Sequence, residues 1–103
     1  MNYCVAITTV AGRDDAEKLA KGIIEQRLAA CVQLNDIDSY YIWDEKLTVD
    51  AEVRLVIKTA DDKYKELENY ILASHPYEIP QIIKLPVADG YSKYLDWIDE
   101  VTV

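Results

Sequence analysis

The amino-acid sequence predicts one α+β domain over residues 1–103, and three observations carry that prediction. Its length is close to the commonest size of a single domain, and half of its residues are hydrophobic, which is enough to form a core. Hydrophobic periodicity follows the order strand, helix, strand, strand, helix, strand, helix. Two β-α-β units in that order form a four-stranded antiparallel sheet with two helices on one face. We therefore predict a ferredoxin-like arrangement with an extra C-terminal helix.

The first strand is predicted over residues 3–10, and both of its faces are mostly apolar. A strand of this kind is typical of the centre of a sheet with material on each side. In the helix that follows, Asp14 and Glu17 have the spacing of a capping box. Gly22 lies inside this helix, where glycine costs about 1 kcal/mol relative to alanine, so we expect close packing there.

A long β-hairpin is predicted next, with arms over residues 30–43 and 49–59 and a turn at 44–46. Asn35 and Asp36 in the first arm predict a bulge or a bend. Both arms exceed the five or six residues of an average strand. Aromatic and apolar residues occupy the end of the first arm, and an uncovered strand of this composition aggregates unless it is paired. We therefore predict a closed homo-oligomer in which hairpins pair edge to edge and the uncovered sheet faces pack together.

A rigid corner, defined here as residues 75–80, joins a predicted helix over 61–74 to a predicted strand over 81–87. It contains the only histidine and two of the three prolines of the chain. Because proline fixes φ and restricts the residue before it, the corner presents the side chains of His75, Tyr77 and Glu78 outward. Such a corner is either a stiff connector between helix and strand or part of a binding site.

Composition and charge exclude several classes of function. The chain carries 11 basic and 19 acidic residues, a net charge of −8 that argues against a nucleic-acid partner. The sequence shows neither a signal-peptide pattern nor an apolar stretch that could span a membrane, so we expect a cytoplasmic protein with no membrane partner. Cys4 and Cys31 lie in apolar runs without CxxC spacing, and we predict that they form no disulfide.

Catalytic and metal-binding patterns are weak in this sequence. It has no phosphate-binding glycine loop, no nucleophile elbow and no zinc-protease motif. One histidine without clustered thiols does not form a closed zinc site. A thiol or acid/base enzyme would have to use Cys31, His75 or Glu78, and we rank this alternative last. The acidic residues of the hairpin are interpreted as a solvated face: Asp36, Asp38, Asp44, Glu45, Asp50 and Glu52. We predict a protein that is not an enzyme and that requires no cofactor.

A polar-lined cleft at a subunit boundary is the default candidate for ligand binding. Lys58 lies at the end of an apolar strand, close in the predicted topology to the rigid corner. The candidate cleft residues are Trp43, Lys58, His75, Tyr77 and Glu78.

Six runs of the sequence closely resemble the CutA divalent-cation tolerance family, in the order and spacing of that family. They are residues 27–32, 39–43, 52–53 with 57–59, 75–80, 85–87 and 94–97, and the resemblance covers nearly the whole chain. It implies a ferredoxin-like protomer, a homotrimer, a cytoplasmic location and a link to copper and other divalent cations. Because the family's trimer resembles that of the PII signalling proteins, it also implies a signalling or interaction role with a small-molecule or protein partner.

The resemblance also implies where copper ligands would lie. The family's cysteine and paired histidines correspond to Thr8, Ser74 and His75 here, so only His75 keeps a ligand side chain. We expect at most a weak site for Cu²⁺ or another divalent cation at His75, with Glu78 as a second ligand. The family often has glycine before the lysine of the hairpin turn, where this chain has Glu45.

These observations leave two binding functions ahead of catalysis. The first is a trimeric protein of divalent-cation tolerance or response. The second is a sensor of the PII type, in which Lys58 and His75 bind a small anionic metabolite between subunits.

Overall fold

The structure, a computed structural model, describes residues 2–103 as a four-stranded antiparallel sheet with three α-helices. The strand order across the sheet is β2-β3-β1-β4. The elements are β1 (Tyr3–Val10), α1 (Arg13–Glu25), β2 (Cys31–Trp43), β3 (Lys46–Ala60), α2 (Tyr64–Ser74), β4 (Ile82–Pro86) and α3 (Ser92–Val101), and a 3₁₀ turn at Asp61–Lys63 leads into α2. The predicted ferredoxin-like α+β fold with an extra C-terminal helix is therefore confirmed.

The hydrophobic core lies between one face of the sheet and helices α1 and α2. Leu55 and Ile57 of β3 are fully buried there, because their strand is flanked by β1 and β2 and covered by both helices. The helices contribute apolar side chains at helical spacing: Ala16, Leu19 and Ile23 from α1, and Leu67 and Ile71 from α2. Complete burial of one such aliphatic side chain stabilises the fold by about 1.5–3 kcal/mol.

The opposite face of the sheet is only partly covered within one chain. Helix α3 covers one end, where Ile98 packs against Tyr3 and Ala60. The central part of the remaining face is an apolar surface, called here the open sheet face, which consists of Val5, Ile7, Val56, Ile83 and Leu85. The prediction that β1 is apolar on both sides is confirmed, and its second side has no complete cover in the chain.

The β2–β3 hairpin is regular from end to end. Its pairing runs from Cys31 opposite Lys58 to Trp43 opposite Lys46, with one residue facing one residue throughout. Only Asp44 and Glu45 form the turn, with φ values of 50° and 63°. Positive φ at both central residues is the geometry of a two-residue type I′ turn. The predicted three-residue turn is therefore one residue too long.

The expected bulge or bend at Asn35 and Asp36 is wrong. The β2–β3 ladder is unbroken at both residues, and side chains of β3 and α1 form hydrogen bonds to them. Arg54 Nε donates to Asn35 Oδ1 over 3.3 Å, and Arg13 Nη2 donates to Asp36 Oδ1 over 3.0 Å. Because these polar groups have partners at the sheet surface, the strand has no need to bend away.

The end of the hairpin carries a second apolar surface, on the same side of the sheet as α1 and α2. Two cross-strand pairs, Tyr40 with Val49 and Ile42 with Leu47, form this hairpin tip patch. Ile42 is 66% exposed and Leu47 is 71% exposed, because no helix packs over them.

The start and the packing of α1 test two sequence predictions. The helix begins at Arg13 with Gly12 at the N-cap position, so Asp14 lies in the first turn and the predicted capping box is wrong. Asp14 can still stabilise the helix through its dipole. The prediction of close packing at Gly22 is confirmed, because a Cβ atom there would collide with Tyr70 Oη of α2.

The two cysteines are free and far apart. Cys4 is buried on the helix side of β1, whereas Cys31 is partly buried on the other side of β2, with β3 between the two strands. That separation is about 10 Å across the sheet, beyond the Cα–Cα span of a disulfide. Burial raises the pKa of the Cys4 thiol, which suits an inert core residue.

Candidate functional site

The rigid corner is tied to the end of β1 through the imidazole of His75. Helix α2 stops at Ser74, and His75 has extended backbone geometry, as the following proline requires. Its Nε2 lies 2.6 Å from the carbonyl oxygen of Thr9, and its Nδ1 accepts a hydrogen bond of 3.2 Å from the Tyr77 backbone N–H. Because a carbonyl oxygen can only accept, Nε2 carries the proton. Both ring nitrogens are therefore engaged within the chain.

Two tyrosine hydroxyls form hydrogen bonds to carboxylates on the face of the hairpin nearest the rigid corner. Tyr77 Oη donates to Glu52 Oε2 over 2.9 Å, and Tyr41 Oη donates to Asp50 Oδ2. Partial burial and the bond to Glu52 raise the pKa of Tyr77 well above its ordinary value. The bond to Asp50 is the main cause that raises the pKa of Tyr41. Both phenols therefore remain protonated hydrogen-bond donors at neutral pH.

A cavity of about 800 Å³, called here the corner groove, lies between the rigid corner and the hairpin. Its volume falls in the range of roughly 300–1,000 Å³ that is usual for small-molecule sites. Four aromatic residues, three acidic residues and six smaller or neutral residues line it: Tyr40, Tyr41, Trp43, Tyr77, Asp50, Glu52, Glu78, Thr9, Ala11, Ser39, Ala51, Ile79 and Gln81. None of these lining residues is a lysine, an arginine or a histidine.

The structure brings most of the predicted cleft residues together. Trp43, Tyr77 and Glu78 line the corner groove, and His75 lies at its edge through its contact with Thr9 and Tyr77. The prediction missed Tyr41, Asp50 and Glu52. Strand alternation places these three on one face of the hairpin, but only when the turn, and hence the register, is known.

The expectation that Lys58 shares this cleft is not met within one chain. Lys58 pairs with Val5, whereas the His75 partner Thr9 pairs with Arg54, four residues further along β3. At about 3.3 Å per residue, that offset is roughly 13 Å along the strand. The Lys58 ammonium instead lies 5.8 Å from the ring centre of Tyr94 in α3. The groove of one chain therefore offers no cation for an anionic metabolite.

A thiol enzyme that used Cys31 with His75 as its base would need the two side chains in contact. Cys31 lies opposite Lys58, at the α3 end of the sheet. His75 is bound at the other end of β1, so the thiol and the imidazole do not meet in one chain.

The residues at the copper-ligand positions that the resemblance implies do not fit copper. Thr8 is fully buried with a neutral hydroxyl that has no hydrogen-bond partner, and Ser74 Oγ donates to the Tyr70 carbonyl over 3.0 Å. Neutral hydroxyls are poor substitutes for thiolate and imidazole, which copper prefers. Within residues 2–103, no three histidine, cysteine or acidic side chains are grouped closely enough to hold a metal ion. A weak site at His75 stays a prediction.

Comparison with known proteins identifies the family. The sequence model of the family described as "CutA1 divalent ion tolerance protein" matches residues 4–101. This chain belongs to the CutA1 family. A divalent-cation tolerance protein CutA from Thermus thermophilus is 38% identical over 95% of this chain and 96% of its own length. The chloroplastic protein CutA of Arabidopsis thaliana is also 38% identical over 95% of this chain, which spans 54% of that longer protein.

Solved structures of the CutA1 family share the whole fold. The periplasmic divalent cation tolerance protein CutA of Archaeoglobus fulgidus superposes with a TM-score of 0.96 at 33% identity, covering 98% of this chain and 99% of that one. The Thermus thermophilus protein gives a TM-score of 0.93 at 37% identity, covering 98% and 99%. Within the described residues, no helix has the length and hydrophobicity needed to cross a membrane.

Proposed function

We propose that this CutA1-family chain functions in divalent-cation tolerance as a homotrimer and that it catalyses no reaction. The observation that carries the proposal is the pair of uncovered apolar surfaces, the open sheet face and the hairpin tip patch, in a chain of this family. A sensor for a small anionic metabolite is the weaker alternative, because the corner groove of one chain holds no basic residue.

The two apolar surfaces favour assembly on energetic grounds. Ile83 and Leu85 on the open sheet face are 44% and 46% exposed, and the four side chains of the hairpin tip patch are more exposed still. Contiguous apolar surface of this kind marks protein interfaces, and burying it contributes about 25 cal/mol per Å². A closed ring covers the apolar surfaces of every copy equally. An open head-to-tail arrangement would leave such surfaces uncovered at its ends and would polymerise.

Light scattering of the purified protein tests the assembly. We expect a mass close to three chains of 11.8 kDa across a dilution series. The double variant Ile42→Asp/Leu47→Asp should dissociate, because two carboxylates would have to be desolvated at each interface. Leu72→Asp, on the half-exposed outer side of α2, is the matched control and should keep the mass of the natural protein. A folded monomer of the natural chain would refute the trimer.

Growth of a deletion strain tests the cation function. Loss of the gene should slow growth in elevated Cu²⁺ or another divalent cation, and the natural gene should restore it. Ile42→Asp/Leu47→Asp should fail to restore growth if assembly is required, whereas Leu72→Asp should succeed. Equal growth of the deletion and parent strains in every cation tested would overturn the tolerance role.

We also propose a cytoplasmic location. The fold contains no disulfide within the chain, so its stability does not require an oxidising compartment. The names of relatives include a chloroplastic and a periplasmic protein, so the family is found in more than one compartment. Cell fractionation with an antibody to the chain decides the location, and recovery in the periplasmic fraction would contradict this proposal.

A further inference from the structure

We propose that a second copy of the chain completes the corner groove, and that Lys58 of the partner subunit forms an ion pair with Glu52. The pairing depends on the proposed homotrimer and specifies which charged residues meet across its interface. Within one chain the groove is lined by three acidic residues and by no basic residue, so its cation has to come from a neighbour.

The outer side of β3, which contributes Val56 to the open sheet face, carries two charged segments. Because side chains alternate along a strand, the even-numbered residues of β3 lie on the same side as Val56. Asp50 and Glu52, called here the acidic segment, lie on the hairpin arm beyond the part of β3 that pairs with β1. Arg54 and Lys58, called here the basic segment, lie within that paired part, one on each side of Val56. The cations therefore border the open sheet face, and the acids project past it.

Neither segment is neutralised by an ion pair among residues 2–103. The ion pairs of this part of the chain involve other residues: Arg13 with Asp36, Lys65 with Glu68, and Lys84 with Asp61. Arg54 donates to the neutral amide oxygen of Asn35, and the Lys58 ammonium lies 5.8 Å from the ring centre of Tyr94. The acidic segment accepts hydrogen bonds from uncharged tyrosine hydroxyls. Both segments therefore keep their charge in the isolated chain.

Assembly makes unpaired charges on this side of the sheet costly. A neighbour that covers the open sheet face removes the bordering cations from water, and a buried charge without a partner strongly destabilises an interface. Lys58 and Glu52 are already half-buried in one chain, whereas Asp50 is exposed. Arg54 has a hydrogen-bond partner in Asn35. Lys58 and Glu52 are therefore the two charges that gain most from meeting each other.

A ring of three copies brings the unlike segments together. Each interface of such a ring is heterologous, so two different surfaces of the chain meet in it. The acidic segment lies on the projecting hairpin arm and the basic segment lies over the body of the sheet, so the arm of one copy reaches the cations of the next. Each chain has a net charge of −8, and this pairing offsets the general repulsion between copies. Lys58 then neutralises the groove and is not free to bind an anionic metabolite.

Charge reversal tests the pairing, with light scattering as the readout of assembly. Dilution series are run at the urea concentration where the natural trimer begins to dissociate. Lys58→Glu and Glu52→Lys each place like charges opposite one another and should raise the protein concentration at half-dissociation at least about tenfold. The double variant Glu52→Lys/Lys58→Glu restores opposite charges and should recover most of the loss. Lys18→Glu, an equal reversal at an exposed position of α1, is the matched control and should assemble like the natural protein.

Neutral variants test the same pair without like charges and without loss of the Tyr77 bond. Glu52→Gln keeps an acceptor oxygen for the Tyr77 hydroxyl, and Lys58→Met keeps a long, flexible side chain. In a double-mutant cycle, each single change should weaken assembly. The combined variant should assemble no more weakly than the weaker single variant, because the two changes remove one shared contact.

The outcomes separate the pairing from the homotrimer. A monomeric natural protein would refute the homotrimer itself, and the pairing with it. If the natural protein is trimeric, the pairing alone is overturned when both single reversals assemble like the natural protein, or when the folded double reversal fails to recover assembly. Additive effects in the neutral cycle would also overturn it. Circular dichroism shows whether each variant is folded, and the neutral cycle decides if a reversal variant is not.

Discussion

The Tyr77 hydroxyl donates a 2.9 Å hydrogen bond to Glu52 Oε2 and thereby joins the rigid corner to β3. The two residues are 25 positions apart in the chain. Because the imidazole of His75 binds the end of β1 at the same time, the corner is held at two points on two adjacent strands. The wall of the corner groove is therefore set by side-chain bonds as well as by the two prolines.

Replacement of Tyr77 by phenylalanine tests that connection. The free energy of unfolding should fall by about 1 kcal/mol, because a partly buried carboxylate loses a hydrogen-bond donor. Urea denaturation measures the change. Tyr91→Phe, at a side chain that is 69% exposed, is the control and should unfold like the natural protein. If the two variants unfold alike, the Tyr77–Glu52 bond contributes nothing.

The stability of the fold should decline at alkaline pH. The bond to Asp99 and burial raise the pKa of Tyr3 from 10.0 to about 12. The folded state therefore holds the phenol proton more tightly than the unfolded chain does, so this contribution is complete below pH 10 and is lost as pH rises toward 12. We expect the urea midpoint to decrease over that interval, and to decrease less in Tyr3→Phe. Equal pH profiles of the natural protein and Tyr3→Phe would contradict this assignment.

Gly22→Ala should destabilise the protein, although alanine is ordinarily preferred in a helix by about 1 kcal/mol. The added methyl group would collide with the Tyr70 hydroxyl, so the partly buried Tyr70 ring would have to leave its packed position between α1 and α2. In a Tyr70→Phe background the loss should be smaller. A double-mutant cycle of thermal or urea unfolding measures this coupling. Additive effects of the two changes would show that the close contact is absent.

Glu45→Gly should stabilise the hairpin. Glu45 has a φ of 63°, a left-handed conformation that costs a residue with a Cβ about 1 kcal/mol and glycine almost nothing. Part of the gain is offset by the greater freedom of glycine in the unfolded chain. Lys46→Gly is the control: Lys46 is a strand residue, so this change should destabilise. A lower unfolding midpoint for Glu45→Gly would be inconsistent with the observed turn.

Copper binding should be weak in the natural chain and stronger when the implied ligands are restored. Both nitrogens of His75 already have partners, so Cu²⁺ must displace one of them to bind. Calorimetry should show weak binding that is lost in His75→Ala. The double variant Thr8→Cys/Ser74→His should bind at least about tenfold more tightly, because thiolate and imidazole suit copper. Equal affinity of the natural protein and His75→Ala would place any cation site elsewhere.

The sequence predicted the order and type of every element because hydrophobic periodicity is set by burial, which dominates the folding energy. The prediction failed where hydrogen bonds or the backbone conformation of a few residues determine the local structure. The side chains that bond Asn35 and Asp36 come from α1 and β3, and no local pattern reveals them. The N-cap at Gly12 and the two-residue turn depend on backbone geometry, which several residue types can adopt.

The site residues were likewise predicted in part, and the successes and failures have physical reasons. The two prolines of the rigid corner identified the segment that holds Tyr77 and Glu78, because proline restricts the backbone wherever it occurs. Lys58 lies away from the rigid corner within one chain because of the strand register, so its place in a cleft between subunits stays a prediction. Asp50 and Glu52 were interpreted as a solvated face, although the same alternation that exposes them also directs them into the corner groove.

The unsupported length of the hairpin has a consequence for local unfolding. A two-stranded ribbon is marginally stable alone, so the amide hydrogens around the hairpin tip patch should exchange rapidly with solvent in a dissociated chain. Those of β1, at the centre of the sheet, should exchange only on global unfolding. In an assembled protein, neighbouring copies would hold the ribbon, and its exchange would slow as protein concentration rises. The hairpin amides would then report the association equilibrium residue by residue.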